Sequence, residues 1–193
     1  MKNRILLSLL IISLSAITAV AQRIAVKTNV LYDITATVNV GAEMPVAPQW
    51  TIDVSADINT WSVHNLRTWK HWFIQPEARY WLCEQFSGSF VAVHGIGGQY
   101  NMGHLHNGIK ILGADFSRLS DGHYQGWFVG AGIAYGYALP IGRHWNLEGE
   151  IGLGVIHAKY DRLQCHTGQN AENNRHSTFI APTKAAINIV YLF

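Results

Sequence analysis

The chain has 193 residues, 13% charged and 49% hydrophobic, with 18 glycines and 11% aromatics. Soluble domains carry about a quarter charged residues, so this composition suits a wall facing an apolar medium better than a water-exposed surface. The formal charge of +2 resides in Lys2 and Arg4, and from residue 22 onward 12 basic side chains balance 12 acidic ones. That balance removes the electrostatic case for a nucleic-acid partner.

The first residues read as a secretory signal. Lys2 and Arg4 form a basic start, Ile5 to Ile12 is an apolar run, and Ala19-Val20-Ala21 is a small-residue cleavage site. Residues 1–21 are therefore expected to be a cleaved signal peptide, with residues 22–193 forming one outer-membrane domain. The start is too short for a transmembrane anchor, and no Cys follows the apolar run to suggest a lipoprotein. Farther along, no apolar stretch reaches the length of a membrane helix. A spanning chain without such helices must be a closed barrel, because lipid satisfies no open backbone edge.

Taken in order, the sequence predicts strands near Ile24–Tyr32 and Thr35–Met44, joined tightly around Asp33-Ile34. A short turn follows at Pro45–Pro48. In the next strand Trp50, Ile52, Val54, Ala56 and Ile58 share one face, while Thr51, Asp53, Ser55, Asp57 and Asn59 share the other. A polar segment at Trp61–Trp69 leads to a strand ending before the turn at Glu84–Gly88. The strand between Ser89 and Asn101 is ambiguous, since both faces carry apolar groups. Placing Gln99 and Asn101 inside turns His94 toward lipid. After a long segment at Gly103–Gly122, Trp127, Val129, Ala131, Ile133, Tyr135, Tyr137 and Leu139 oppose a face of Phe128, Gly130, Gly132, Ala134, Gly136 and Ala138. Beyond the turn at Pro140–His144, Trp145, Leu147, Ile151, Leu153 and Val155 oppose Asn146, Glu148, Glu150, Gly152 and Gly154. The last long segment is Asp161–Ser177. In the final strand Ile187, Ile189, Tyr191 and Phe193 share a face and end in an aromatic residue, a pattern that resembles the targeting signal read by the outer-membrane barrel-assembly machinery. Three short turns alternating with four outer connections, three of them long and the first the tight link at Asp33-Ile34, predict an all-β fold: an eight-stranded antiparallel up-and-down transmembrane β-barrel, OmpA-like in layout, with a side-chain-filled lumen.

Several stretches resemble a known family: Lys27-Thr28-Asn29-Val30-Leu31-Tyr32-Asp33, Lys70-His71-Trp72, Gln75-Pro76-Glu77-Ala78-Arg79-Tyr80-Trp81-Leu82-Cys83, Gly97-Gly98-Gln99-Tyr100-Asn101, Gly126-Trp127, Gly132, Tyr135-Gly136-Tyr137 and Trp145-Asn146-Leu147-Glu148. Together they are similar to a family of Bacteroidetes outer-membrane proteins, domain-of-unknown-function family 3575. The resemblance spans nearly the whole mature chain, and the Gln-Pro-Glu-Ala-Arg-Tyr-Trp run is its most specific part. It implies an outer-membrane barrel, supplies no catalytic residue or cofactor, and hints at fimbria-like surface proteins as partners.

Strand parity places Lys27, Glu43, Asp53, Asp57, Glu77, Arg79, Glu148, Glu150 and Lys184 inside. An unpaired charge in a dry lumen is costly, so these residues are expected to form a structural network that plugs the barrel. A proton pathway or carboxylate acid–base pair is the functional alternative. Of the ten histidines, His64, His104, His106, His123, His166 and His176 fall in the proposed outer loops. His104 and His106 with Cys165 and His166 are weak metal candidates, since imidazole and thiolate suit zinc or copper but no tight ligand motif is present. Cys83 beside a short turn and Cys165 in an outer loop are expected to lie too far apart to bridge, so that both stay free or Cys165 pairs with another molecule.

The function expected is therefore non-enzymatic: a Gram-negative outer-membrane anchor that displays loops at the cell surface, with lipid and surface-appendage proteins as partners. Two alternatives are weaker. A lipid-modifying enzyme would draw on Ser120, Asp121 and His123 at the outer rim. A minimal pore or small-ligand carrier is disfavoured by the narrow bore of eight strands.

Overall fold

Side chains alternate across a strand, so a chain that repeatedly sets apolar residues against polar or small ones builds a sheet with two unlike faces. The computed structural model describes residues 24–60, 62–63, 67–103, 110–111, 114–115, 123–163 and 172–193. Eight long strands occur in it: β1 Ala25–Asn29, β2 Val38–Ala47, β3 Trp50–Asn59, β4 Arg67–Trp81, β5 Gly88–Gly103, β6 His123–Pro140, β7 Trp145–Leu163 and β8 Glu172–Leu192. One short helix, α1 (Val30–Ile34), joins β1 to β2. The two-residue strand Ser62–Val63 extends the edge of β4, and Lys110–Ile111 pairs with Ala114–Asp115 in a separate small hairpin.

Each long strand pairs antiparallel with its sequence neighbours, and β1 also pairs with β8, so the circuit of pairings closes. The outward rows are those of the large apolar residues: Ile52, Val54 and Ile58 on β3, Ile133, Tyr135 and Tyr137 on β6, and Leu147, Ile151 and Leu153 on β7 are all exposed. The opposite rows are buried. Among the described residues no helix is long and apolar enough to cross a membrane.

The first hairpin differs from the sequence expectation. The strand expected over Ile24–Tyr32 ends at Asn29, α1 takes the place of a tight turn at Asp33-Ile34, and β2 starts only at Val38. Asn29 causes the change. Its side-chain oxygen accepts from the Leu31 N–H at 3.1 Å and caps the helix. Asp33 holds the turn closed, accepting from Thr28 Oγ1 at 2.9 Å and Asn39 Nδ2 at 2.8 Å.

Strand β5 is also settled. It pairs in register with both neighbours without a bulge, which sends Phe90, Ala92, His94 and Gly98 inside and leaves Val91, Val93 and Gln99 exposed. His94 is thus interior, 2% exposed, and Gln99 is outward, where it accepts from the indole of Trp72 at 3.3 Å. The pattern was unreadable because inward Phe90 and Ala92 are apolar members of a mixed interior. Several strands also run beyond their expected ends: β6 starts at His123, β7 reaches Leu163 and β8 starts at Glu172. His123 and His176 therefore lie on strands rather than in loops.

Candidate functional site

The interior is layered. At the end near the short turns, Trp81, Phe86 and Phe90 pack together with Ala25, Ala138 and Val190. Phe86 adopts a left-handed φ of 61° in the turn between β4 and β5, an uncommon conformation for a bulky side chain. Its carbonyl accepts from Asn146 Nδ2 at 2.5 Å, which holds the turn under the interior. At the other end Phe73 meets Tyr32 of α1 edge-on at 5.8 Å, with Phe128 and Tyr100 beside it.

Between these layers lies the charge network, built from strand positions of one parity. Arg79 on β4 is fully buried and stands at its centre. Its Nη1 donates to Glu43 at 2.8 Å and to Glu148 at 2.9 Å, its Nη2 donates to Glu150 at 2.7 Å, and its Nε pairs with Glu77. The guanidinium plane also lies over the Phe90 ring, 4.5 Å from its centroid, the stacking that arginine favours. Lys27 on β1 sits against Glu43, with Asp53 and Glu148 each 3.6 Å away. Lys184 on β8 pairs with Glu77 at 3.1 Å and lies 3.9 Å from Glu150.

All nine residues assigned inside by parity are buried, and eight of them join this network of ion pairs. Asp57 stands apart, nearer α1. A small cavity of about 20 Å³ under α1 is lined by Asp53, Asp57, Tyr32, Asn39, Gln75 and Lys184 among others, room for about one water-sized molecule. Three bases face six acids, and Asp53 and Asp57 keep buried oxygens with no hydrogen-bond donor.

Uncharged residues complete the shell; parity set Thr51 on the inner face beside Asp53, but it did not give their partners. Thr51 donates to Glu43 at 2.5 Å and accepts from the Trp81 indole at 2.9 Å. Asn188 donates to Glu148 at 2.8 Å. His94 and Thr183 share a hydrogen bond of 2.8 Å, and Gln75 donates to the Thr183 carbonyl at 2.8 Å. Thr183 faces inward beside Lys184 because β8 carries a bulge there: Gly152 opposes Lys184 and Leu153 opposes Pro182, which leaves Thr183 as the extra residue.

His104, His106, Cys165, His166, Ser120, Asp121 and His64 lie outside the described residues, as does the expected signal, residues 1–21. Among the described residues no group of three His, Cys, Asp or Glu side chains is arranged to hold a metal. Cys83 is a free, exposed thiol at the end of β4. Ile187, Ile189 and Phe193 are exposed on one face, and Tyr191 meets Trp145 at 4.9 Å and Phe193 at 4.9 Å, edge to face.

A family model described as "Protein of unknown function (DUF3575)" matches residues 5–193. The chain belongs to that family. No curated protein and no solved structure matches it. The Gln75–Cys83 run that carries the resemblance to DUF3575 covers the last residues of β4 and the start of the following turn, and it supplies Gln75, Glu77 and Arg79 to the interior and Trp81 to the layer beneath. Its most distinctive residues thus serve the interior.

Proposed function

We propose that this DUF3575 protein is an eight-stranded outer-membrane β-barrel that acts as a non-enzymatic anchor and displays its longer connections at the cell surface. One observation carries the reading. Around a closed circuit of strands the apolar rows face out while the charged residues are buried and paired inside, the reverse of what water selects. On β7 the outward residues from Trp145 to Val155 carry no charge, and ten steps along a tilted strand rise about 25 Å, the height of a barrel's apolar band. Aromatic residues at the ends of the rows, Trp50, Tyr80, Trp145 and Tyr191 at one level and Trp72 and Trp127 at the other, match interfacial girdles.

The interior supports an anchor rather than a conduit. Arg79, Lys27 and Lys184 fill the middle with ion pairs, and Trp81, Phe86 and Phe90 close one end. The partners proposed are outer-membrane lipid, the barrel-assembly machinery during insertion, and surface-appendage proteins recruited by the loops. Two measurements test this. Expressed with its own N-terminus, the protein should fractionate with the outer membrane and resist carbonate extraction; recovery in the soluble periplasm would overturn the barrel. Reconstituted in planar bilayers, it should show no large stable openings, and sustained conductance would overturn the anchor. A pull-down through a tag near Asn170 then identifies the surface partner.

A further inference from the structure

On two neighbouring strands the outward face changes from aliphatic to polar at one level, and on a third it changes two outward positions farther along. On β7 the change falls between Val155 and His157, and on β8 between Ile180 and Thr178. On β6 it falls after Val129 and Trp127, at Gln125. The registers align these positions: Val129 opposes His157, which opposes Thr178, and Trp127 opposes Lys159, which opposes His176. The patch so formed contains two imidazoles, an ammonium, a hydroxyl and an indole. The outward positions around it include Gln125, Val129, Val155 and Ile180, and the next position of the same parity on β7 is Asp161, opposite Gln125.

The side chains in the patch are organised. The rings of His157 and His176 stack at 5.5 Å with 26° between their planes, and the Trp127 ring lies 6.2 Å from His157. His157 Nδ1 and Thr178 Oγ1 are 2.8 Å apart. With the hydroxyl donating, the neutral imidazole carries its proton on Nε2 and presents it as a donor. Lys159, on the same face, adds a positive charge. Under the membrane reading, on which this inference rests, the patch lies where acyl chains give way to headgroups, and the Trp127 indole is typical of that depth. The anionic group found at that depth in a lipid is a phosphate.

We infer that His157, Lys159 and His176 form a site on the outer wall for the phosphate of an anionic lipid headgroup, with Thr178 orienting His157. This gives the anchor a preferred lipid, held by donors and one charge at the rim of the apolar band. Three probes test it on the detergent-extracted protein by native mass spectrometry: lipid A carrying its phosphates, the same lipid dephosphorylated, and inorganic phosphate. The phosphorylated lipid should be retained, with at least tenfold weaker retention of the dephosphorylated form and no saturable uptake of inorganic phosphate. The triple variant H157Q/K159Q/H176Q should lose that preference while keeping its heat-dependent gel mobility, since these side chains face outward. Equal retention of the two lipids, or an unchanged preference in the triple variant, overturns the site and leaves the barrel standing. Saturable inorganic phosphate binding without lipid preference overturns the lipid assignment. Failure of the wild-type protein to float with vesicles overturns the membrane reading, and the site with it.

Discussion

Asn29 reaches across the sheet to Ala185, its Nδ2 donating to the Ala185 carbonyl at 3.1 Å while its Oδ1 accepts from the Ile187 N–H at 3.2 Å. This is the last point at which β1 lies beside β8. Beyond it, among the described residues, β8 pairs with β7 alone and β2 pairs with β3 alone. Helix α1 packs between them, with Tyr32 turned inward and Leu31 and Ile34 exposed. The Asn29 amide therefore substitutes for a strand residue where the ladder stops. It also caps α1, and its own backbone exchanges hydrogen bonds with the Asn39 side chain at 2.5 and 3.1 Å. Replacing it with Ala removes the cap and leaves polar backbone groups unsatisfied at the seam, a cost of about 1–3 kcal/mol. Urea titration of the refolded N29A protein should show that loss, with new proteolytic cuts between residues 30 and 37. An unchanged midpoint would mean that α1 is held by packing alone.

Arg79 touches five carboxylates, from three other strands and its own, so no substitution that lacks its planar fork can serve all of them. Truncating one partner of a buried charge cluster costs about 3–5 kcal/mol, because the charges left behind have no compensation. R79M should lose stability on that scale. R79K should recover little of it, since one ammonium cannot satisfy acceptors in three directions. Adding E43Q to R79M should restore part of the loss by removing one of the stranded charges. Equilibrium unfolding of the four proteins in detergent measures each step, and full rescue by lysine would reduce the Arg79 contacts to simple charge balance.

How much of this was legible in the sequence follows from the physics of each feature. The facing of β3, β6 and β7 could be read directly, because large apolar residues alternate there with polar or small ones. The nine charged interior residues could be read for the same reason, since a charge seldom occupies an apolar face. His94 could not, because the inward row of β5 contains Phe90 and Ala92 and resembles the outward one. The short β1 could not either, because capping by Asn29 competes with strand continuation and residue type alone does not decide between them. Neutral partners such as Thr51, Asn188 and Thr183 acquire their roles from cross-strand register, which a single strand's pattern does not contain.

Thr183 is the clearest product of register. Above the bulge Ile180 and Thr178 are outward, below it Ala185 and Ile187 are outward, and Thr183 is the residue that reconciles them. Deleting Thr183 should therefore leave both halves of β8 on their proper faces and cost only the contacts with His94 and Gln75, about 1–3 kcal/mol for two buried polar partners. Deleting Ile133 should behave differently. It lies in a stretch of β6 paired on both sides without a shift, so one residue fewer sends the remaining strand to the opposite face. Heat-modifiable gel mobility after refolding separates the two deletions: the first should still fold and the second should not. Equal failure of both would show that the bulge is required for assembly and not merely accommodated.

The free thiol of Cys83 offers a test of orientation. It is exposed beside the turn that joins β4 to β5, at the end shared with the other short turns and with both β1's start and β8's finish. Barrels of the outer membrane keep short turns on the periplasmic side and longer connections outside. In a C165S background, Cys83 should therefore resist a membrane-impermeant maleimide on intact cells and react once the outer membrane is permeabilised. A cysteine introduced as N170C, with C83S and C165S, should show the opposite behaviour and react on intact cells. Reactivity of Cys83 on intact cells, with protection of position 170, would invert the barrel. It would also move the His157–Lys159–His176 patch to the inner leaflet, where its lipid partner would have to be a phospholipid.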